Sequence, residues 1–372
     1  MNQIPLCRAE IGEEEFAAVR EVLESGWLTH GPKTTEFENV FADYIGVRHA
    51  IAMNSCTSAL FLAVIANGIR GDVLVPSFTF IASANAIKTA GANPVFVDIN
   101  YHDCNVNADL LENYLTAKTE ALMVVHYAGQ CCDMDKISAF AKKHGLVLIE
   151  DSAETIGGAY KGKMSGSWGI GCYSFFPTKN ITTGEGGMLT TNDDRLADMV
   201  RTLVNHGINK STHQRVQGAQ PWFRAASLPG YNFRLSNLLA AIGVEQMKKI
   251  DRLNESRRSL SNYLIEKLRG REEIDLPVEN EGCSHVFQMF TIKIKNGGRD
   301  DFVMAMKKRG IEASVHFDPP AHLHPAYAGD THASLPVTEK ISRSIATLPM
   351  FPGLKKSDLD QIAAAIHEYF GK

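Results

Sequence analysis

Residues 172–191, CYSFFPTKNITTGEGGMLTT, join two apolar runs through a loop of Pro, Thr, Asn and a Gly-Glu-Gly-Gly tetrad. Short apolar runs bounded by such turn residues predict strands, here at 172–176 and 188–191. Lys179 is the one cation in the loop, and no other Lys or Arg occurs between Lys163 and Arg195. A lysine isolated at the mouth of a strand differs from one on a solvated helix face. Crowding or burial lowers an amine's pKa from about 10.4, and the neutral amine is a nucleophile. Such an amine suits imine formation with an aldehyde, the chemistry of enzymes that use pyridoxal phosphate (PLP). A surface lysine on a glycine-rich turn has the same local sequence, so the remaining chain decides.

Upstream, strand-like runs alternate with helical ones. Strands are predicted at 50–53, 73–76, 94–98, 121–126 and 146–149, and helices at 13–25, 35–45, 59–66, 81–90, 108–115 and 134–144. Near-continuous apolar strands alternating with helices predict an α/β fold with a mostly parallel sheet covered on both faces. Such sheets bind ligands at the carboxyl ends of their strands. Downstream come a helix at 193–204, a polar loop over 206–229 and a long amphipathic helical pattern over 236–268. A boundary in that pattern separates a large domain, 1–248, from a smaller α+β domain, 249–372. The second has strands at 286–294 and 313–317 and helices at 300–309 and 359–369.

At 372 residues and 44% hydrophobic content the chain has ample material for a core. A net charge of −4 and pI near 6.4 give no footprint for nucleic acid or an anionic membrane. Seven cysteines, an odd number with no C-x-x-C pair, suit reduced thiols. The N-terminus turns acidic at once, and no run approaches the ~18 apolar residues a bilayer span needs. A cytoplasmic location is expected.

Several side chains fall at predicted strand ends. Thr57 and Ser58 follow the 50–53 strand and read either as phosphate ligands at a helix start or as plain caps. Asp151 ends the fifth strand, where a carboxylate needs a cation or strong donors. Its partner is a structural group or a protonated pyridine nitrogen. Ser174 precedes Lys179 on its strand and reads as a phosphate ligand or a buried hydroxyl. Phe80 reads as a ring-stacking residue or as core. His316, His322 and His324 cluster in SVHFDPPAHLHP, but prolines break any helix there and no zinc spacing is matched, so no metal is expected.

Taken together, ESGWLTHGPK (24–33), VPSFTFIASANAI (75–87), PVFVDI (94–99), VHYAGQCCDMD (125–135), IEDSAE (149–154), SFFPTKNITTGEGG (174–187), PGYNFRLSNLLAAIG (229–243) and LPMFPGL (348–354) resemble the DegT/DnrJ/EryC1/StrS family of PLP-dependent nucleotide-sugar aminotransferases. The resemblance covers nearly the whole chain. It implies the aspartate aminotransferase-like fold (PLP fold type I) and pyridoxal 5'-phosphate as cofactor. Lys179 would form the internal Schiff base, Asp151 pair with the pyridine nitrogen and Phe80 stack on the ring. Thr57, Ser58 and Ser174 would hold the phosphate, joined by Asn232 from a neighbouring subunit, which makes a homodimer with shared active sites. Glu154 stands where members often carry His or Gln near the ring hydroxyl; glutamate also occurs in relatives that resemble perosamine synthases. The implied substrates are L-glutamate and a nucleotide-linked 4-keto-6-deoxy sugar. Lys33, Arg224, Arg234 and His316 are candidates for binding that sugar nucleotide, from their places in the motifs.

GWLTHGPK, SVHF and Glu154 look more like 4-aminotransferases than 3-aminotransferases, which remain the alternative. A pyridoxamine-dependent dehydratase of the same superfamily would carry histidine in place of Lys179. A nicotinamide oxidoreductase needs G-x-G-x-x-G where this chain has NSCTS. A non-catalytic regulator on the same scaffold is opposed by Lys179 together with Asp151.

Overall fold

The computed structural model describes residues 3–209, 222, 224–329 and 334–371. Its centre is a seven-stranded sheet built from β1 (His49–Met53), β2 (Asp72–Pro76), β3 (Asn93–Val97), β4 (Thr119–Val125), β5 (Val147–Asp151), β8 (Ile170–Ser174) and β9 (Gly187–Thr191), in the order β1-β9-β8-β5-β4-β2-β3. Two short strands, β6 (Ala159–Tyr160) and β7 (Lys163–Met164), lie between β5 and β8 in the chain. β8, β5, β4, β2 and β3 run parallel, and β9 lies antiparallel to both β8 and β1. β8 and β9 are therefore an antiparallel pair, and their connection, residues 175–186, carries Lys179. The carboxyl ends of β1, β2, β4, β5 and β8 all open on one edge of the sheet.

Both faces of the sheet are covered, as the apolar strands require. Ala59 and Leu62 of α3 (Cys56–Ala66) pack with Leu196 and Val200 of α6 (Asp194–Val204) against Val73, Met123 and Cys172. On other strand residues, Phe37 and Phe41 of α2 (Pro32–Ile45) meet Tyr173, Phe175 and Met188, and Ile137 of α5 (Met134–His144) meets Leu122 and Val124. Ser55 starts α3: its Oγ accepts the Ser58 N–H at 3.1 Å. The cap is thus Ser55, in extended backbone two residues ahead of Thr57.

The 236–268 pattern resolves into two helices, Asn237–Met247 and Ile250–Leu268, which part at Lys248 and Lys249 without Gly or Pro. The second spans two cores. Ile250 and Leu253 join Phe37 and Phe41, whereas Leu260, Leu264 and Leu268 join Phe290, Ile292, Leu359 and Ile362. Ile4 from the front of the chain enters this second core and bridges to Ile311. The C-terminal part carries a three-stranded antiparallel sheet with Phe290–Ile294 between Ile274–Asp275 and Ile345–Leu348. The expected strand at 313–317 contributes a single bridge, Ser314 to Thr347, and residues 286–289 lie outside the strand. The 108–115 helix is a 3-10 turn, Ala108–Tyr114.

Candidate active site

A cavity of about 420 Å³ opens at the carboxyl edge of the sheet. Asp151 enters it from the end of β5, Ser174 from the end of β8, and Lys179 from the loop that follows. Ser55, Cys56 and Thr57 at the start of α3 line the same space, as do Phe80, Glu154 and His316.

The Lys179 side chain is only 16% exposed, and its Nζ lies 3.5 Å from Glu154 Oε1. Glu154 Oε2 accepts the Ala128 N–H at 2.8 Å, so this carboxylate is fixed from two sides. Asp151 is buried. Its Oδ2 accepts the Ser83 hydroxyl at 2.7 Å and its Oδ1 the Ala153 N–H at 3.2 Å. Among the described residues no Lys, Arg or His nitrogen lies within 4.0 Å of it. Burial pushes the Asp151 carboxyl up from the ordinary carboxylate value, against the pull of Ser83 and Ala153. Burial likewise drives the Cys56 thiol well up, so the sulfur 4.0 Å from Asp151 Oδ1 is a neutral neighbour.

This donor set fits PLP. A buried carboxylate held by neutral donors alone is complemented by a protonated ring nitrogen. A primary amine shares its cavity. The hydroxyls of Thr57 and Ser174, beside the N-terminus of α3, suit a phosphate.

The cavity thus gathers Lys179, Asp151, Thr57, Phe80, Glu154, Ser174 and His316. His316 Nδ1 lies 2.9 Å from Thr347 Oγ1, and burial lowers its pKa. Ser58 is not in the cavity wall; its Oγ donates to Asn54 Oδ1 at 2.7 Å. Lys33 pairs with Glu36 at 3.2 Å and Glu21 at 3.6 Å, and Arg234 donates to Asn205 Oδ1. Arg224 and Asn232 are exposed and lie outside the wall within one chain. The three clustered histidines take separate partners: His322 Nδ1 meets Ser77 Oγ at 2.6 Å and His324 Nε2 meets Pro319 O at 3.1 Å.

Sequence reasoning missed Ser83 and Gln288. Ser83 stands one helical turn after Phe80, inside a quoted motif, yet only the fold brings it to Asp151. Gln288 lines the cavity from the C-terminal part and has no local signal.

The DegT/DnrJ/EryC1/StrS aminotransferase family matches residues 9–367. The chain belongs to that family. GDP-perosamine synthase of Caulobacter vibrioides is 40% identical over 376 residues, covering 99% of this chain and 98% of its own. DesV of S. venezuelae superposes with a TM-score of 0.92 at 32% identity, covering 100% of both chains. Spr1654 of Streptococcus pneumoniae, solved in a PLP form, superposes with a TM-score of 0.89 at 27% identity over 97% of each chain. The protein is accordingly a PLP-dependent sugar aminotransferase with the α/β architecture read from its alternating strands and helices. Among the described residues no helix is long and apolar enough to cross a membrane.

Proposed function

We propose that this enzyme moves the amino group of L-glutamate to C4 of a nucleotide-linked 4-keto-6-deoxy sugar, giving a 4-amino-4,6-dideoxy sugar nucleotide and 2-oxoglutarate. The observation that carries this reading is one cavity holding an enclosed amine, Lys179, and a buried carboxylate, Asp151, with no cation within 4.0 Å among the described residues. Forty per cent identity to a GDP-perosamine synthase across almost the whole chain supports the sugar nucleotide.

PLP, when bound, supplies an aldehyde that joins amines and a ring that draws electrons from the neighbouring carbon. Lys179 is the residue that would hold it covalently. With its amine freed, Lys179 moves a proton at the Cα of glutamate and, in the second half, at C4 of the sugar, acting as general base and then as general acid. Asp151 would keep the ring nitrogen protonated, with Ser83 holding its carboxylate in place. Glu154 holds Lys179 in place between the two halves. Thr57 and Ser174 would hold its phosphate, and Phe80 would pack against its ring.

Phe80 is 61% exposed and Phe176 45% exposed in a single chain, and Asn232 is exposed as well. Large aromatic rings left bare at a cavity mouth support a second copy seated there, with its Asn232 reaching the phosphate. A reduced-thiol, cytoplasmic setting agrees with seven free cysteines, five of them buried.

The test is incubation of PLP-loaded protein with [15N]glutamate and the 4-keto- or 3-keto-6-deoxyhexose of GDP, dTDP or UDP, read by NMR. Nitrogen-15 at C4 of one product is expected. Label at C3, or no transfer to any keto sugar, overturns the reading.

A further inference from the structure

Gln288 lies on the cavity wall, almost fully buried, yet it comes from the C-terminal part of the chain. Its Nε2 donates to the carbonyl of Thr178, the residue before Lys179, at 2.8 Å. The Gln288 backbone is itself held from below. Arg257 donates to Gln288 O at 3.2 Å and to Met350 O at 2.8 Å. On the other side, Met289 N–H donates to Ala128 O at 3.3 Å, and Ala128 N–H binds the carboxylate of Glu154 that faces Lys179. The Lys179 loop and its carboxylate are therefore gripped from the same short segment, residues 286–289. Gly129 marks how tightly that segment seats: a Cβ there would stand 2.9 Å from the backbone nitrogens of Phe287 and Gln288.

Gln288 Oε1 is buried and has no donor among the described residues. A buried acceptor without a donor destabilises a fold, and a leucine of similar length would remove it. The geometric link from its amide to the carbonyl before Lys179 points to positioning.

We propose that Gln288 is a positioning residue for Lys179, its carboxamide fixing the 178–179 turn so that Nζ stands ready to capture the cofactor aldehyde. The inference rests on Lys179 being the attachment point proposed above.

The experiment adds PLP to cofactor-free parent, Q288L, Q288M and Q288H, follows capture by absorbance, and locates the borohydride-fixed label by peptide mass spectrometry. Melting of the cofactor-free proteins is read alongside. Q288L and Q288M lack a donor, and capture is expected to slow about fivefold, the equivalent of one modest hydrogen bond. Q288H, which restores an N–H donor, should return to within about twofold of the parent. Q288L should melt no lower than the parent. Q288M, apolar, unbranched and of similar length, carries the test should the leucine variant fail to fold. Capture at the parent rate in both donor-free variants, or slowing that tracks a lower melting temperature and is not rescued by histidine, overturns the proposal. A parent that fixes no label at Lys179 overturns the functional reading and this inference together.

Discussion

Lys179 Nζ stands 3.5 Å from one oxygen of Glu154 while the other oxygen takes the N–H of Ala128 at 2.8 Å. Ala128 holds a positive φ of 56°, a conformation that a side chain adopts only when its surroundings enforce it. One carboxylate thus joins the lysine loop to a fixed turn. Glu154→Gln keeps an acceptor for Ala128 and loses the charge beside Lys179; Glu154→Ala loses both. Turnover is expected to fall about tenfold in the first and on the order of a hundredfold in the second, measured as kcat with glutamate and keto sugar.

Asp151 predicts opposite effects on stability and activity. Its folded pKa stands above the unfolded value near 3.8 because burial disfavours the charge. The stabilising contribution of the neutral form is therefore present below pH 3.8 and lost as pH rises through the folded pKa. Asp151→Asn is neutral throughout. Cofactor-free Asp151→Asn should melt above the parent at neutral pH, and the gap should close in acid. Turnover of the loaded variant should fall on the order of 10²–10³-fold, since nothing then keeps the ring nitrogen protonated.

Ser83 supports the same carboxylate from 2.7 Å. Ser83→Ala removes a hydrogen bond to a charged group, worth about 1.5–3 kcal/mol in general. PLP should bind more weakly by at least about tenfold, read by equilibrium dialysis, with little change in the circular dichroism of the fold.

Glu150 is the stability counterpart of its neighbour Asp151. It is fully buried, accepts the N–H groups of Gly166, Trp168 and Gly169, and meets His126 Nε2 at 3.1 Å. His126 Nδ1 accepts the Cys132 N–H, which leaves Nε2 as the donor to Glu150. Removing the carboxylate leaves these donors unpaired, at about 1–3 kcal/mol for each one that stays buried. Glu150→Ala should show that loss in urea unfolding, through the turn that leads into β8.

The proposed homodimer with shared sites predicts complementation. Lys179→Ala and Asn232→Ala homodimers should each be impaired. Mixed after partial unfolding, half of the dimers are hybrids with one intact site, so about one quarter of parental activity should return. No recovery on mixing would place Asn232 outside the site.

The strands on either side of Lys179 were legible because each is a short apolar run ending in turn residues. Asp151 and Ser174 were legible because a polar group at the end of a buried run is unusual. The start of α3 was harder: SCTS offers three hydroxyls, and only the extended backbone of Ser55 singles out the cap. The break at Lys248–Lys249 carries no Gly or Pro and follows from packing two cores with one stretch of chain. Ser83 and Gln288 were out of reach for a different reason. Their partners lie 68 and 110 residues away along the chain, and no local pattern encodes such pairings.

Borohydride reduction of the PLP-loaded protein, followed by digestion and peptide mass spectrometry, tests the covalent role of Lys179 most directly. A reduced pyridoxyl label on the peptide that carries Lys179, and on no other, is predicted. A label at another lysine, or a protein that binds PLP and yields none, contradicts it.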